Sequence, residues 1–300
     1  MIEVGEITVL ESSDGSDHPI GSGMNSVFVF GNRYSPDLLE GRVPESDQTS
    51  VDLLAESGVV GMILDKHAAA RSPTRILILG YLVNEVGDVL NTIDHALPAP
   101  SPLPVDRPRA KMILNVGVSM NSGKTRAAMA CCRALAHSGE KVLAAKVTGT
   151  AGVADIEGLQ SAGAIFVADF THLGWPSTYL ADKDDLISIF QRLDAQAGSD
   201  PGAFWVVEIS DGLLQRETAM LLRDSYVRGR IHRLILSASD ALGAVGGLSV
   251  LKDDFGLTPH ALSGRMTASP LMVKEIRSRT DIPVFDSTRV DVEVLRQILV

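Results

Sequence analysis

The chain is poor in the features that mark an extracellular, membrane or nucleic-acid protein. Only two of its 300 residues are cysteines, Cys131 and Cys132. They are adjacent, and neighbours on a helix point in different directions, so neither a disulfide nor a metal pair is expected. Two small buried helix residues account for them. The seven histidines are scattered, without metal-ligand spacing. No apolar run approaches the roughly 18 residues of a membrane-spanning helix. The opening Met1-Ile2-Glu3-Val4-Gly5-Glu6 is acidic and unlike a leader, so a cytoplasmic location is expected. Basic residues are in deficit, 27 against 37 acidic, for a net charge of −10. That argues against a duplex nucleic acid and gives no reason to expect an anionic membrane. No dinucleotide fingerprint with an acid at the required offset appears, which disfavours a nicotinamide cofactor.

What is present is concentrated in one stretch. The apolar run Met112 to Val116 leads into Gly117-Val118-Ser119-Met120-Asn121-Ser122-Gly123-Lys124-Thr125, and a helix-forming run from Arg126 to His137 follows. Strand, glycine-bounded loop, Gly-Lys-Thr and helix is the order a phosphate-cradling loop needs. Backbone N–H groups and the helix N-terminus face the phosphates, the lysine reaches the terminal oxygens, and the threonine hydroxyl ligates Mg²⁺. The loop is one residue longer than the common spacing. Gly117, Asn121, Ser122, Gly123, Lys124, Thr125 and Arg126 are therefore the expected nucleotide-binding residues, with ATP or GTP and Mg²⁺ as cofactors.

Five prolines between Leu97 and Pro108 indicate a stiff linker. We read residues 1–97 as a small β-rich domain, 98–110 as the linker, and 111–300 as a nucleotide-binding α/β domain. In the first, apolar runs at 27–30, 58–64 and 75–80 read as strands and 48–57 as a short helix. In the second, strands are expected at 112–117, 141–146, 164–168, 204–209, 233–237, 260–263 and 283–285. Helices are expected at 124–137, 155–162, 182–195, 215–227, 241–255, 270–279 and 290–299. Such alternation predicts a doubly wound, mostly parallel sheet, whose ligands bind beyond the carboxyl ends of the strands.

Those strand ends supply the other candidates. Lys146 suits a phosphoryl or anionic substrate contact, with Thr148 just beyond it. Asp155, opening a helix, suits the Mg²⁺ shell through water or a helix cap. Glu208 suits a second metal contact or a water-orienting base. Asp169 and the loop carrying Ser177, Thr178 and Tyr179 read as a substrate pocket. In the first domain Arg33 suits a substrate carboxylate, and Asp65, Lys66 and His67 form a second polar cluster. The loops at Ser237–Asp240 and Ser263–Thr267 suit the nucleotide base by position.

Three of these segments, in order, resemble the dethiobiotin synthetase-like P-loop family, which includes the cobyrinic and cobyric acid amidating enzymes. They are Gly117 to Thr125, Lys146-Val147-Thr148-Gly149, and Val207-Glu208 with Gly212. Val147 stands where that family has proline, and Ser210-Asp211 interrupt its glycine-rich segment. The resemblance implies catalytic roles for Lys124, Lys146 and Glu208, a Mg²⁺ site at Thr125, Asp155 and Glu208, and a homodimer. It points to ATP- or GTP-dependent activation of a carboxylate or carbamate on a small metabolite. The alternatives are a nucleotide-dependent switch or cofactor-delivery protein acting on a protein partner, and an acyl transferase whose loop holds the phosphates of coenzyme A.

Overall fold

The computed structural model describes residues 1, 3–98 and 107–300. Most of the proline-rich linker, 99–106, lies outside the described residues. The chain forms two compact units. The first comprises Met1–Leu97 with the segments Thr150–Ala154 and Phe170–Leu180, and the second comprises Pro98–Gly149, Asp155–Asp169 and Ala181–Val300.

The first unit is built from short strands: β1 (Val9–Glu11), β2 (Asp17–Pro19), β3 (Val29–Phe30), β4 (Arg33–Ser35), β5 (Leu39–Arg42), β6 (Ser50–Leu53), β7 (Val59–Lys66) and β8 (Arg75–Leu77). The antiparallel order β4-β5-β7-β6-β8 makes the main sheet, with β3 parallel to β7. The helix expected over 48–57 is strand β6. Its four residues are paired on both sides, by β7 and β8, and Val51, Asp52 and Leu53 are buried. Ladder pairing on two edges outweighs a weak local helical tendency. The turn into β7 passes through Gly58, whose φ of +84° suits glycine.

The second unit is a parallel α/β sheet with helices between its strands. Its elements are β9 (Lys111–Gly117), α1 (Lys124–His137), β10 (Lys141–Lys146), α2 (Val153–Ser161), β11 (Phe166–Asp169), α3 (Lys183–Ala197), β12 (Ala203–Glu208), α4 (Arg216–Arg223), α5 (Ser225–Arg230), β13 (Ile231–Ser237), α6 (Ala241–Phe255), β14 (Ala261–Ser263), α7 (Pro270–Arg277) and α8 (Val292–Leu299). All six strands are parallel, in the order β11-β10-β12-β9-β13-β14. Strand β9 is buried from Met112 to Gly117, as a central parallel strand covered on both faces must be. Helix α1 turns Ala127, Ala128, Cys131, Ala134 and Leu135 inward, small residues that allow close packing against the sheet. The helix expected over 215–227 is two helices, because the Asp224 carboxylate accepts from the Tyr226 and Val227 amides and starts a new one. The strand expected over 283–285 is reduced to one bridge, Val284 with Leu262.

Candidate functional site in the second unit

Strand β9 ends at Gly117 and delivers the loop to the N-terminus of α1. A Cβ at Gly117 would lie 2.1 Å from Ser122 Oγ and 2.7 Å from Lys124 Cγ, so the fold of the loop requires glycine there. Asn121 (φ 57°) and Gly123 (φ 100°) adopt left-handed backbone and curl the loop before the helix begins. Two other loops press on it. A Cβ at Gly212 would meet Val118 O and Ser119 Cα at 2.8 Å, and one at Gly264 would meet Ser122 O at 2.4 Å. The Leu213 amide donates to Gly117 O at 3.0 Å, and the Arg265 amide donates to Ser122 O at 3.0 Å. The result is a tightly held backbone loop at a helix N-terminus, the setting in which backbone amides can bind an anion.

The side chains fit that reading. Lys124 is buried and its Nζ donates to Ser119 O at 2.9 Å, folding the ammonium back over the loop. Burial pulls its pKa down, against the pull of Glu208 and Asp211. Thr125 Oγ1 donates to Glu208 Oε1 at 3.2 Å, and Ser210 Oγ donates to the same oxygen at 3.1 Å. Burial drives the Glu208 carboxyl above its ordinary range, with Lys146 opposing. Its second oxygen, Oε2, is buried without a hydrogen-bond partner, as is Ser122 Oγ. Buried polar atoms left unpaired are costly unless a ligand completes them. Among the described residues no cluster of three or more histidine, cysteine or acidic side chains is arranged around a metal. A cation here would therefore draw on one hydroxyl, one carboxylate, phosphate oxygens and water, which is the donor set Mg²⁺ favours. Thr125 and Glu208 fit it. Asp155 instead pairs with Lys146 Nζ. Burial lowers the Lys146 pKa, but Asp155 and Glu208 outweigh it and hold it above the usual value.

The other sequence candidates fall into two groups. Thr148 and Asp169 are buried in the second unit. Thr148 Oγ1 donates to Ser210 O and accepts from the Ser210 amide at 2.8 Å. Asp169 stands opposite Lys146 in the register of β10 and β11. Arg126 is exposed on α1. Arg33, Ser177, Thr178 and Tyr179 belong to the first unit. There Arg33 donates to Leu54 O, Ser177 Oγ accepts from the Tyr179 amide at 3.2 Å, and Tyr179 OH donates to Glu40 at 2.9 Å. Ser177 and Thr178 are buried. Sequence reasoning gave no site role to Asn115 or Ser210, and named Gly212 and Gly264 only within a motif and a base-side loop. Asn115, opposite Glu208 in register, has a buried Oδ1 without a partner. Ser210 carries the bonds to Glu208 and Thr148, while Gly212 and Gly264 brace the loop. For Asn115 the legible sign was an asparagine inside an otherwise apolar strand.

No protein-family model matches the chain, and no curated protein does. Some solved structures match part of the chain at low identity. One is the signal recognition particle receptor FtsY from Elizabethkingia anophelis in complex with GDP, 14% identical over 69% of this chain and 68% of that one, with a TM-score of 0.45. A second structure of that receptor is 17% identical over 67% and 68%, with a TM-score of 0.39. The cell division protein ftsY from Thermotoga maritima is 17% identical over 69% and 74%, with a TM-score of 0.38. These structures are signal recognition particle receptors and not members of the dethiobiotin synthetase-like family, so the resemblance to that family is not upheld. The physical reason is plain in the sheet. The three segments behind that resemblance end β9, β10 and β12, adjacent strands whose tips meet around the phosphate loop. A lysine and an acid at such strand tips do not by themselves single out one family. Among the described residues, no helix is long and apolar enough to cross a membrane.

Proposed function

We propose that the second unit binds a nucleoside triphosphate with Mg²⁺ and acts as a slowly hydrolysing, nucleotide-dependent switch on a protein partner. The observation that carries this is the braced loop at the N-terminus of α1, with Lys124 folded onto Ser119 O and the Thr125–Glu208 pair leaving Glu208 Oε2 unpaired. Lys124 exchanges the Ser119 carbonyl for phosphate oxygens. Thr125 and Glu208 would hold Mg²⁺, which supplies charge neutralisation on the phosphates. Ser210 then links the site to the rest of the unit: its hydroxyl reaches Glu208, and its carbonyl accepts from Thr148 and from Thr218 on α4. A change at Glu208 is thereby felt at the start of α4.

The metabolite-activating reading is supported less well. The polar residues expected to form its pocket, Arg33, Ser177 and Tyr179, are engaged in hydrogen bonds within the first unit.

Thermal melting with ATP, GTP and acetyl-CoA, each with and without Mg²⁺, tests the proposal in the wild type and Lys124→Ala. A triphosphate at a hundred times its Kd should add about 2.7 kcal/mol, only with Mg²⁺ and only in the wild type. Phosphate release by the protein alone should be slow. A shift with acetyl-CoA only, or none at all, would overturn the triphosphate site.

A further inference from the structure

The geometry points to the hairpin arm at 77–97 as the surface through which two copies of this chain pair. The inference concerns the first unit and is independent of the nucleotide site. Strand β8 is the last strand in the order of the main sheet, with Glu3 bridged to its Arg75, and the chain leaves it as a hairpin. Val83 bridges Val89, and the Leu90 amide donates to Leu82 O at 2.9 Å. Asn84 Oδ1 closes the tip by accepting from the Val86 and Asp88 amides. The foot is pinned too, with Thr92 Oγ1 donating to Gly174 O at 2.7 Å and the Leu97 amide to His172 O at 2.8 Å. The arm is thus an ordered element.

Its side chains lack a core of their own. Ten large apolar residues between Leu77 and Leu97 are exposed, Leu79 at 74% and Val86 at 81% among them. A lone two-stranded hairpin is marginal in water. Contiguous apolar patches above a few hundred Å² mark interaction sites. At about half exposure, ten such side chains present on the order of 800 Å², which is what one partner contributes to a stable interface.

The sequence of the arm selects a second copy as the occupant. Residues 76–97 contain no lysine, arginine or proline, the residues that usually guard an edge. The charges at the tip are acidic, Glu85 and Asp88, whereas the segment leading into the arm carries exposed Arg71 and Arg75, the latter 3.4 Å from Asp52, and the returning segment carries exposed Asp94. Two arms antiparallel about a two-fold axis at Gly80 set Leu79 against Tyr81 and Leu77 against Val83, and bring each acidic tip toward Arg71 and Arg75 of the other copy. Such an isologous contact closes on itself. Gly80 has open space where a Cβ would stand, so the axis is unobstructed.

Sedimentation equilibrium of the full chain tests this. The expected result is twice the 31.9 kDa chain mass, with a loss of association of 100-fold or more in Val83→Asp/Val89→Asp. Mild oxidation with copper–phenanthroline fixes the geometry without relying on a core substitution. Gly80→Cys should cross-link to itself, and Glu85→Cys, at tips held apart, should not. A monomeric wild type at tens of micromolar overturns the proposal and leaves the arm to a different protein. So does a dimer that survives the double substitution, or one that cross-links at Glu85→Cys and not at Gly80→Cys.

Discussion

The two units reach stability by opposite routes. In the second, six parallel strands are buried along most of their length and alanine-rich α1 lies close on the sheet. In the first, the strands are short and mostly antiparallel, the buried residues form two small clusters, and a hairpin carries apolar side chains in the open. A parallel sheet covered on both faces can afford buried charge, because its framework holds the partners in place. A thin antiparallel unit depends on surface hydrogen bonds and on whatever covers its exposed arm. One tryptophan falls in each unit, Trp175 in the first and Trp205 in the second, so Trp175→Phe and Trp205→Phe backgrounds report the units separately.

The largest expected break lies at Asp194. It is fully buried on α3, and Arg109 (2.6 Å), Arg230 (3.0 Å) and Tyr226 (2.8 Å) converge on its carboxylate. Removing one side of a buried ion pair leaves uncompensated charge and costs about 3–5 kcal/mol. Asp194→Ala leaves two guanidinium groups facing an apolar methyl. Denaturant unfolding followed at Trp205 should therefore lose about that much, with the Trp175 transition moving far less. Equal shifts at both tryptophans would mean that the units do not unfold separately.

This contrast also explains what could be read from the chain. Fully buried parallel strands appear as unbroken apolar runs, so β9, β10 and β12 were legible within a residue or two, and with them the loop at Gly117–Thr125 and the acid at Glu208. The tips of those strands were legible as positions but not as contacts. Nothing in the order of residues says that Asp155 pairs with Lys146, or that Ser210 links Glu208 to Thr148. In the first unit the same reasoning misread β6 as a helix. Four residues between two partner strands are defined by the ladder and not by their own periodicity. The family resemblance was not upheld for a related reason: short motifs at strand tips are too few residues to single out a family.

A middle-sized effect is expected where the first unit relies on a single hydrogen bond. Tyr179 OH donates to Glu40, its ring lies 5.5 Å from Tyr34, and Glu40 also takes Arg42 at 2.8 Å. Tyr179→Phe keeps the ring pair and removes the hydroxyl. With Glu40 still held by Arg42 and partly solvated, the loss should be about 0.5–1.5 kcal/mol, read at Trp175. No change at Trp175 would show that the aromatic pair, and not the hydroxyl, anchors this loop.

The smallest effect concerns pH and belongs to the second unit. His232, on β13, has a buried Nε2 without a partner. Burial lowers its pKa below 6.5, and neighbouring Arg233, Lys111 and His260 lower it further against a backbone bond at Val300. The folded state then binds fewer protons than the unfolded one as the pH falls through the unfolded value. The stability contributed is full above about pH 6.5 and is lost on acidification. His232→Gln removes the titration and keeps a polar side chain of similar reach. Unfolding free energies followed at Trp205 should fall less between about pH 7.5 and 5.5 in the variant than in the wild type. A variant with an undiminished acid slope would assign the loss to other groups and remove His232 from the comparison between the units.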